Sequence, residues 1–167
     1  MDIISRLQSL EAGSEFRQWQ KTHKNHYLVH AFKLLDEANK NIWQIGYYDK
    51  QSDTITTFVV EDDKEVKITP DLEIFKEEKH VIKKLDMKLV KINSQAALDT
   101  AAAFLKQKYP AETPLKTILL LQAIEQGQVY NISVITKSMS TINIKISSED
   151  GTVLEDNKFS LNDLKAK

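Results

Sequence analysis

Residues 129–153 read VYNISVITKSMSTINIKISSEDGTV. Two runs of strict alternation lie inside this stretch. Tyr130, Ile132 and Val134 alternate with Asn131 and Ser133, and Ile142, Ile144 and Ile146 alternate with Asn143, Lys145 and Ser147. A period of two marks strands with one buried face. A hairpin must place both apolar sets on that face, because a one-residue slip would send one set to solvent. This predicts Ile132 opposite Ile146 and Val134 opposite Ile144, joined through Ser138-Met139-Ser140.

Residues 42–66, IWQIGYYDKQSDTITTFVVEDDKEV, align with the same stretch without a gap at a constant offset of 87. Six of the 25 pairs are identical, among them Ile45/Ile132, Thr54/Thr141 and Ile55/Ile142, where composition alone would give roughly one or two. The expected inner face of the first copy is therefore Trp43, Ile45 and Tyr47 against Ile55, Thr57 and Val59. Its outer face would carry Tyr48, Phe58 and Val60, with Phe58 lying over Gly46. Such an apolar outer face needs a cover. Either the molecule supplies one, from a helix at 70–85 or from the other copy, which is the favoured reading, or Tyr48, Phe58 and Val60 form a partner-facing patch.

The remaining elements follow from local signals. Residues 2–22 read as one helix or two short ones, with a break at Gly13-Ser14. Residues 26–35 read as a strand, 65–68 as a short strand, and 115–125 and 152–155 as further strands. Thr69-Pro70-Asp71 has a hydroxyl cap, a proline for the first turn and an acid at the N-terminal dipole. With Ile74, Phe75, Val81, Ile82 and Leu85 on one face, it predicts a helix over 70–85. A strand is expected at 88–92. Ser94 is read as the cap of a helix over 95–109, with Ala97, Leu98, Ala101, Leu105 and Tyr109 in one stripe. The organisation expected is a first helix-plus-sheet repeat over 1–68, an inserted helix and strand over 69–92, and a second repeat with a short polar tail over 93–167.

Composition limits function. Net charge is −1 and the pI near 6.4, which lacks the basic footprint of a general nucleic-acid binder. Arg occurs only at Arg6 and Arg17. There is no cysteine, so disulfides, zinc–thiolate sites and thiol nucleophiles are excluded. No apolar run approaches the ~18 residues of a membrane span. As written, the chain reads as cytoplasmic; trimmed of an export signal, an extracytoplasmic protein would look the same. Units of about 80 residues are marginal alone, so the two copies within the chain are expected to dock; a monomer or weak homodimer is expected.

Three histidines, His23, His26 and His30, would share a helix face and could ligate a metal. On a strand, His26 and His30 would share a face and His23 would be displaced, which favours structural or solvated roles. Glu61-Asp62-Asp63 and Glu149-Asp150 could be read as paired carboxylates, but Asp150-Gly151 is a turn dipeptide. Asn131-Ile132-Ser133 matches a glycosylation sequon inside an expected core strand and is read as chance. No catalytic constellation emerges, and no cofactor is expected. Trp43, Tyr47 and Tyr130 could line a small-molecule pocket between helix and sheet; plain core is the favoured reading for them.

The second half, AALDTAAAFLKQKYP followed by Gly127-Gln128-Val129-Tyr130-Asn131-Ile132-Ser133-Val134 and by Ile142–Ile146 running into Asp150-Gly151-Thr152-Val153-Leu154, resembles the PepSY module of peptidase propeptides and cell-envelope proteins. The resemblance covers about residues 88–155 and, through the repeat, 9–68; in the first copy Lys64 stands where the module has its turn glycine. It implies an α+β fold of two cystatin-like units, each a helix packed on a curved antiparallel sheet. It also implies a non-catalytic module that binds or restrains a protein or peptide, peptidases included.

Overall fold

In the computed structural model, residues 2–39, 41–61, 65–69, 72–73 and 81–160 are described, 72–73 by backbone alone. The described residues form an α+β fold, with three α-helices packed on one face of a single antiparallel sheet. The N-terminal region forms α1 (Ile3–Ala12) and α2 (Ser14–Thr22), split at Gly13. Meanders follow: β1 (Tyr27–Leu35), β2 (Ile42–Asp49), β3 (Thr54–Glu61), β4 (Lys67–Ile68) and β5 (Leu72–Glu73), then, after helix α3 (Ser94–Lys108), β6 (Pro114–Ile124), β7 (Gly127–Thr136), β8 (Ser140–Ser147) and β9 (Val153–Ser160). The spatial order is β4-β3-β2-β1-β6-β7-β8-β9, with β5 also on β3. The first strands of the two meanders, β1 and β6, pair antiparallel at the centre, from His30 opposite Gln122 to Leu35 opposite Thr117. Two separate sheets were expected; one continuous sheet is formed.

The helix stripes and the inner sheet face make one core. Ile3, Leu7 and Leu10 of α1, Phe16 and Trp19 of α2, and Ala97, Ala101 and Leu105 of α3 pack with Ala31, Ile45, Leu121, Tyr130, Ile132 and Ile144. A single carboxylate joins two helix starts. Asp2 caps α1 through the Ile4 N–H at 3.4 Å and accepts from the Ser94 N–H at 3.1 Å and the Ser94 hydroxyl at 2.8 Å. Negative charge at two converging N-termini is favourable on both dipoles.

The expected hairpin registers are corrected. In β7–β8, Tyr130 faces Ile146, Ile132 faces Ile144 and Val134 faces Ile142. The shift from expectation is two residues, so the inner face is preserved and the alternation stays buried. The turn is Lys137-Ser138-Met139, with Met139 at φ +61°. In β2–β3 the turn is one residue longer, Lys50 to Asp53, with Asp53 at φ +56°. Trp43 therefore faces Val60, Ile45 faces Phe58 and Tyr47 faces Thr56. Strand β2 keeps its offset of 87 from the second half, but β3 (Thr54–Glu61) answers to β8 (Ser140–Ser147) at 86. The gapless alignment breaks in the turn, and Ile55 and Ile142, matched in sequence, lie on opposite faces.

The helix expected at 70–85 is also corrected. Residues 72–73 form β5 on β3, and 81–86 are not helical; 74–80 lie outside the described residues. Thr69 caps nothing. Its N–H and hydroxyl both donate to the Thr57 carbonyl, at 2.9 and 3.0 Å, and its hydroxyl accepts from the Thr57 N–H at 3.2 Å. The open edge of β3 offers unpaired backbone groups, and the segment satisfies them. At 88–92, expected as a strand, Asp86 instead caps a 3-10 turn over Met87–Leu89, and the Lys91 and Ile92 N–H groups both donate to the Ser148 carbonyl. Strand β9 runs to Ser160, through residues read from sequence as polar tail.

Candidate functional site: the open face of the sheet

Register fixes which side chains point away from the helices. One row across the sheet runs Lys145, Asn131, Leu120, Phe32, Gln44, Val59. The next runs Asn157, Asn143, Ser133, Ile118, Leu34. On the other side of the first row lie Ser147, Val129, Gln122, His30, Gly46, Thr57. Phe32 and Leu34 of β1 and Ile118 and Leu120 of β6 thus form an apolar block at the middle of this face. All four are half-buried, and none belongs to the core cluster beneath the helices.

The block has a polar margin on the β7–β9 side. The Asn143 side-chain amide donates to Asn131 Oδ1 and, at 2.9 Å, to Ser133 Oγ. Lys145 pairs with Glu155 at 2.7 Å. At the β2 side His30 lies flat on the backbone of Gly46: a Cβ there would sit 2.2 Å from its Cε1. Burial of the imidazole pushes its pKa below the ordinary histidine value. The far end of the face is closed. Tyr27 donates its hydroxyl to the Ile82 carbonyl at 3.2 Å and meets Tyr48 edge-on, with centroids 5.6 Å apart. The face thus has an apolar centre with amides, hydroxyls and the ion pairs Lys145–Glu155 and Lys116–Asp36 around it.

The sites read from sequence fall elsewhere. Phe58 and Val60 point into the core at 0% and 5% exposure, because the longer β2–β3 turn reverses the facing of β3. Phe58 packs against Phe16 and Trp19 of α2, centroids 5.3 and 4.9 Å away. Tyr48 remains on the outer side but is 2% exposed and donates to Asp53 at 2.6 Å. The three are thus buried and lie on two different faces of the sheet, not on one outer face. The cover for Phe58 is α2 rather than a helix at 70–85.

The histidines also separate. His23, at the end of α2, stacks on Trp19 at 4.7 Å, with Nδ1 2.8 Å from the Trp19 carbonyl oxygen. His26 sits edge-on to both rings. A β-bulge between Leu28 and His30 then switches the facing of β1, so His26 lies with the core aromatics and His30 on the open face. Among the described residues, no group of three or more histidines and carboxylates is placed to hold a metal. Trp43, Tyr47 and Tyr130 are core side chains, at 1%, 5% and 0% exposure. The Tyr47 hydroxyl donates to Glu11 at 3.1 Å and that of Tyr130 to the Ile92 carbonyl at 2.9 Å. Asp150 is a turn residue, accepting from the Thr152 N–H and hydroxyl beside Gly151 at φ +79°. Asp62 and Asp63 lie outside the described residues.

The apolar block escaped sequence reading because β1 and β6 are apolar on both sides. In Leu119-Leu120-Leu121 no alternation says which leucine faces out. Among the described residues, no helix is long and apolar enough to cross a membrane. No family model matches the chain, and no curated protein matches it. Among solved structures, the fold is similar to that of a candidate lipoprotein from Clostridium difficile 630, with a TM-score of 0.54 and 17% identity over 87% of this chain and 90% of that one.

Proposed function

We infer that the protein is a non-catalytic binding module, and that the face of the sheet turned away from the helices takes a protein or peptide partner. The observation that carries this is the block Phe32, Leu34, Ile118 and Leu120, half-exposed at the centre of the sheet inside a polar margin. Core sites of that kind supply most of the affinity at protein interfaces, and the surrounding polar groups supply orientation. The PepSY-like reading adds a restraining role toward a peptidase. It is supported by the helix that precedes each meander and by the strand order, which runs outward from β1 on one side and from β6 on the other. The same order supports descent from a duplicated helix-plus-meander unit with one residue inserted in the β2–β3 turn. Of the two compartments the sequence leaves open, the neighbour's description as a lipoprotein favours the extracytoplasmic one.

The test is site-specific photocrosslinking in the native cell. A benzophenone side chain at Ile118 should yield a discrete adduct that the same group at Lys106, on the solvent side of α3, does not. Equal adducts at both positions, or none at Ile118, would reject the open face as the binding surface.

A further inference from the structure

The two margins of the sheet are unlike. One is blunted: β4 and β5 have two residues each. The other is β9 (Val153–Ser160), bulged at Leu154, and among the described residues no strand pairs with the outer edge of Glu155–Phe159. An edge of that length offers a row of backbone donors and acceptors to another strand. Leu154 and Phe159 on it are 44% and 60% exposed. We propose that the β9 edge is a self-association surface, on which a second copy of this chain adds its own β9 antiparallel across a two-fold axis at Asn157.

Side-chain charge favours this register over those centred one residue to either side. A two-fold axis normal to the sheet keeps the helix faces of both copies on the same side, so residues facing one another must share a facing. Asp156 and Lys158 both point to the helix side, where Lys108 bonds Asp156 at 2.6 Å, the Tyr109 hydroxyl bonds it at 2.6 Å, and Glu112 pairs with Lys158. Centring the axis on Asp156 would oppose two carboxylates, and centring it on Lys158 would oppose two ammonium groups. Like charges directly opposite across a ladder are unfavourable, and opposite charges are favourable. Centred on Asn157, each Asp156 meets Lys158 of the second copy. The signs then alternate along Lys108, Asp156, Lys158 of the second copy and its Glu112. On the other side, Glu155 lies beside Phe159 of the second copy and covers part of that ring. The two open faces lie on one side, so the dimer extends the face rather than occupying it. This inference stands on the edge and not on the binding reading, and either can fail without the other.

The chain has no cysteine, so one introduced thiol reports the register. Opposed residues have Cα atoms about 4.5–5.5 Å apart, within disulfide range. Asn157→Cys should form a covalent dimer on mild oxidation. In Ser160→Cys the two thiols would lie ~20 Å apart, six residues at about 3.3 Å each, and should stay single. Sedimentation equilibrium of the unmodified protein should show a mass rising from one to two chains with concentration. Asn157→Lys, which places two ammonium groups on the axis at an exposed position, should remain a single chain with an unchanged circular dichroism spectrum. A protein that stays monomeric at every concentration, or a Ser160→Cys variant that crosslinks as fast as Asn157→Cys, would overturn the proposal.

Discussion

Gly46 is the residue on which the open face is most finely adjusted. Its missing side chain leaves the space that the His30 ring fills, with Cε1 2.2 Å, Nε2 2.6 Å and Nδ1 2.7 Å from where a Cβ would stand. The constraint is steric, since Gly46 is an ordinary strand residue in register with Thr57 and His30. Gly46→Ala should therefore destabilise by about 1–3 kcal/mol, the usual cost of overpacking, read as a lower urea midpoint at unchanged slope. His30→Ala in the same chain should recover most of that loss, because the ring is the atom group in the way. Additive losses in the double variant would mean that the strain lies in the backbone. The sequence marked Gly46 as a site for an aromatic cover and named the wrong ring: Phe58 faces inward because the β2–β3 turn is one residue longer than the β7–β8 turn, and His30 faces outward past the bulge.

At the scale of elements, the strand ends around Glu112 show how a loop is held without apolar packing. Glu112 follows α3 and pairs with Lys158 of β9, while the Ser138 hydroxyl in the β7–β8 turn donates to it at 2.6 Å. The Lys158 pairing, with the hydrogen bonds from Ser138 and Thr136, holds its carboxyl down to about 2. A depressed carboxyl contributes stability that is complete above its unfolded value, near 4.5, and is lost as pH falls toward about 2. Replacing Glu112 with Gln should flatten the pH dependence of the melting temperature between about pH 5 and 2 relative to the parent. A parallel, merely lowered curve would show that the carboxylate makes no differential contribution. Element identity was legible where the period spoke clearly, whereas the cap of α3 is Asn93, which accepts from the Ala96 N–H, and not Ser94 as read from sequence. The alternations of β7 and β8, the split at Gly13 and the stripe of α3 all stand in the structure. The helix read from Thr69-Pro70-Asp71 failed at residues 72–73, because a local start signal is outweighed by an open strand edge that needs partners.

For the whole molecule, the pairing of β1 with β6 is decisive. It welds the two meanders into one sheet, and the core beneath draws on all three helices. Unfolding should then be a single event. Trp19 and Trp43 both lie in the first half, whereas far-ultraviolet circular dichroism reports both halves. The two probes should give coincident urea transitions, the signature of a two-state domain. A tryptophan transition that precedes the dichroism change would mean that the halves unfold separately, and that the β1–β6 seam is weak.

The sequence by itself determined the local periods, and through them the α+β class, the strands of both meanders and most of the inner face. These depend on which residues alternate, and that is written in the chain. Only the tertiary structure decided the facing of β3, the placement of His30, the fate of residues 69–73 and the single continuous sheet. Each of these turns on a count or a competition between distant segments: one residue more in a turn, one bulge in a strand, an edge that must be paired. A shift of one residue reverses a strand's two faces at no cost to its local pattern, so the choice is made by what each face finds to pack against.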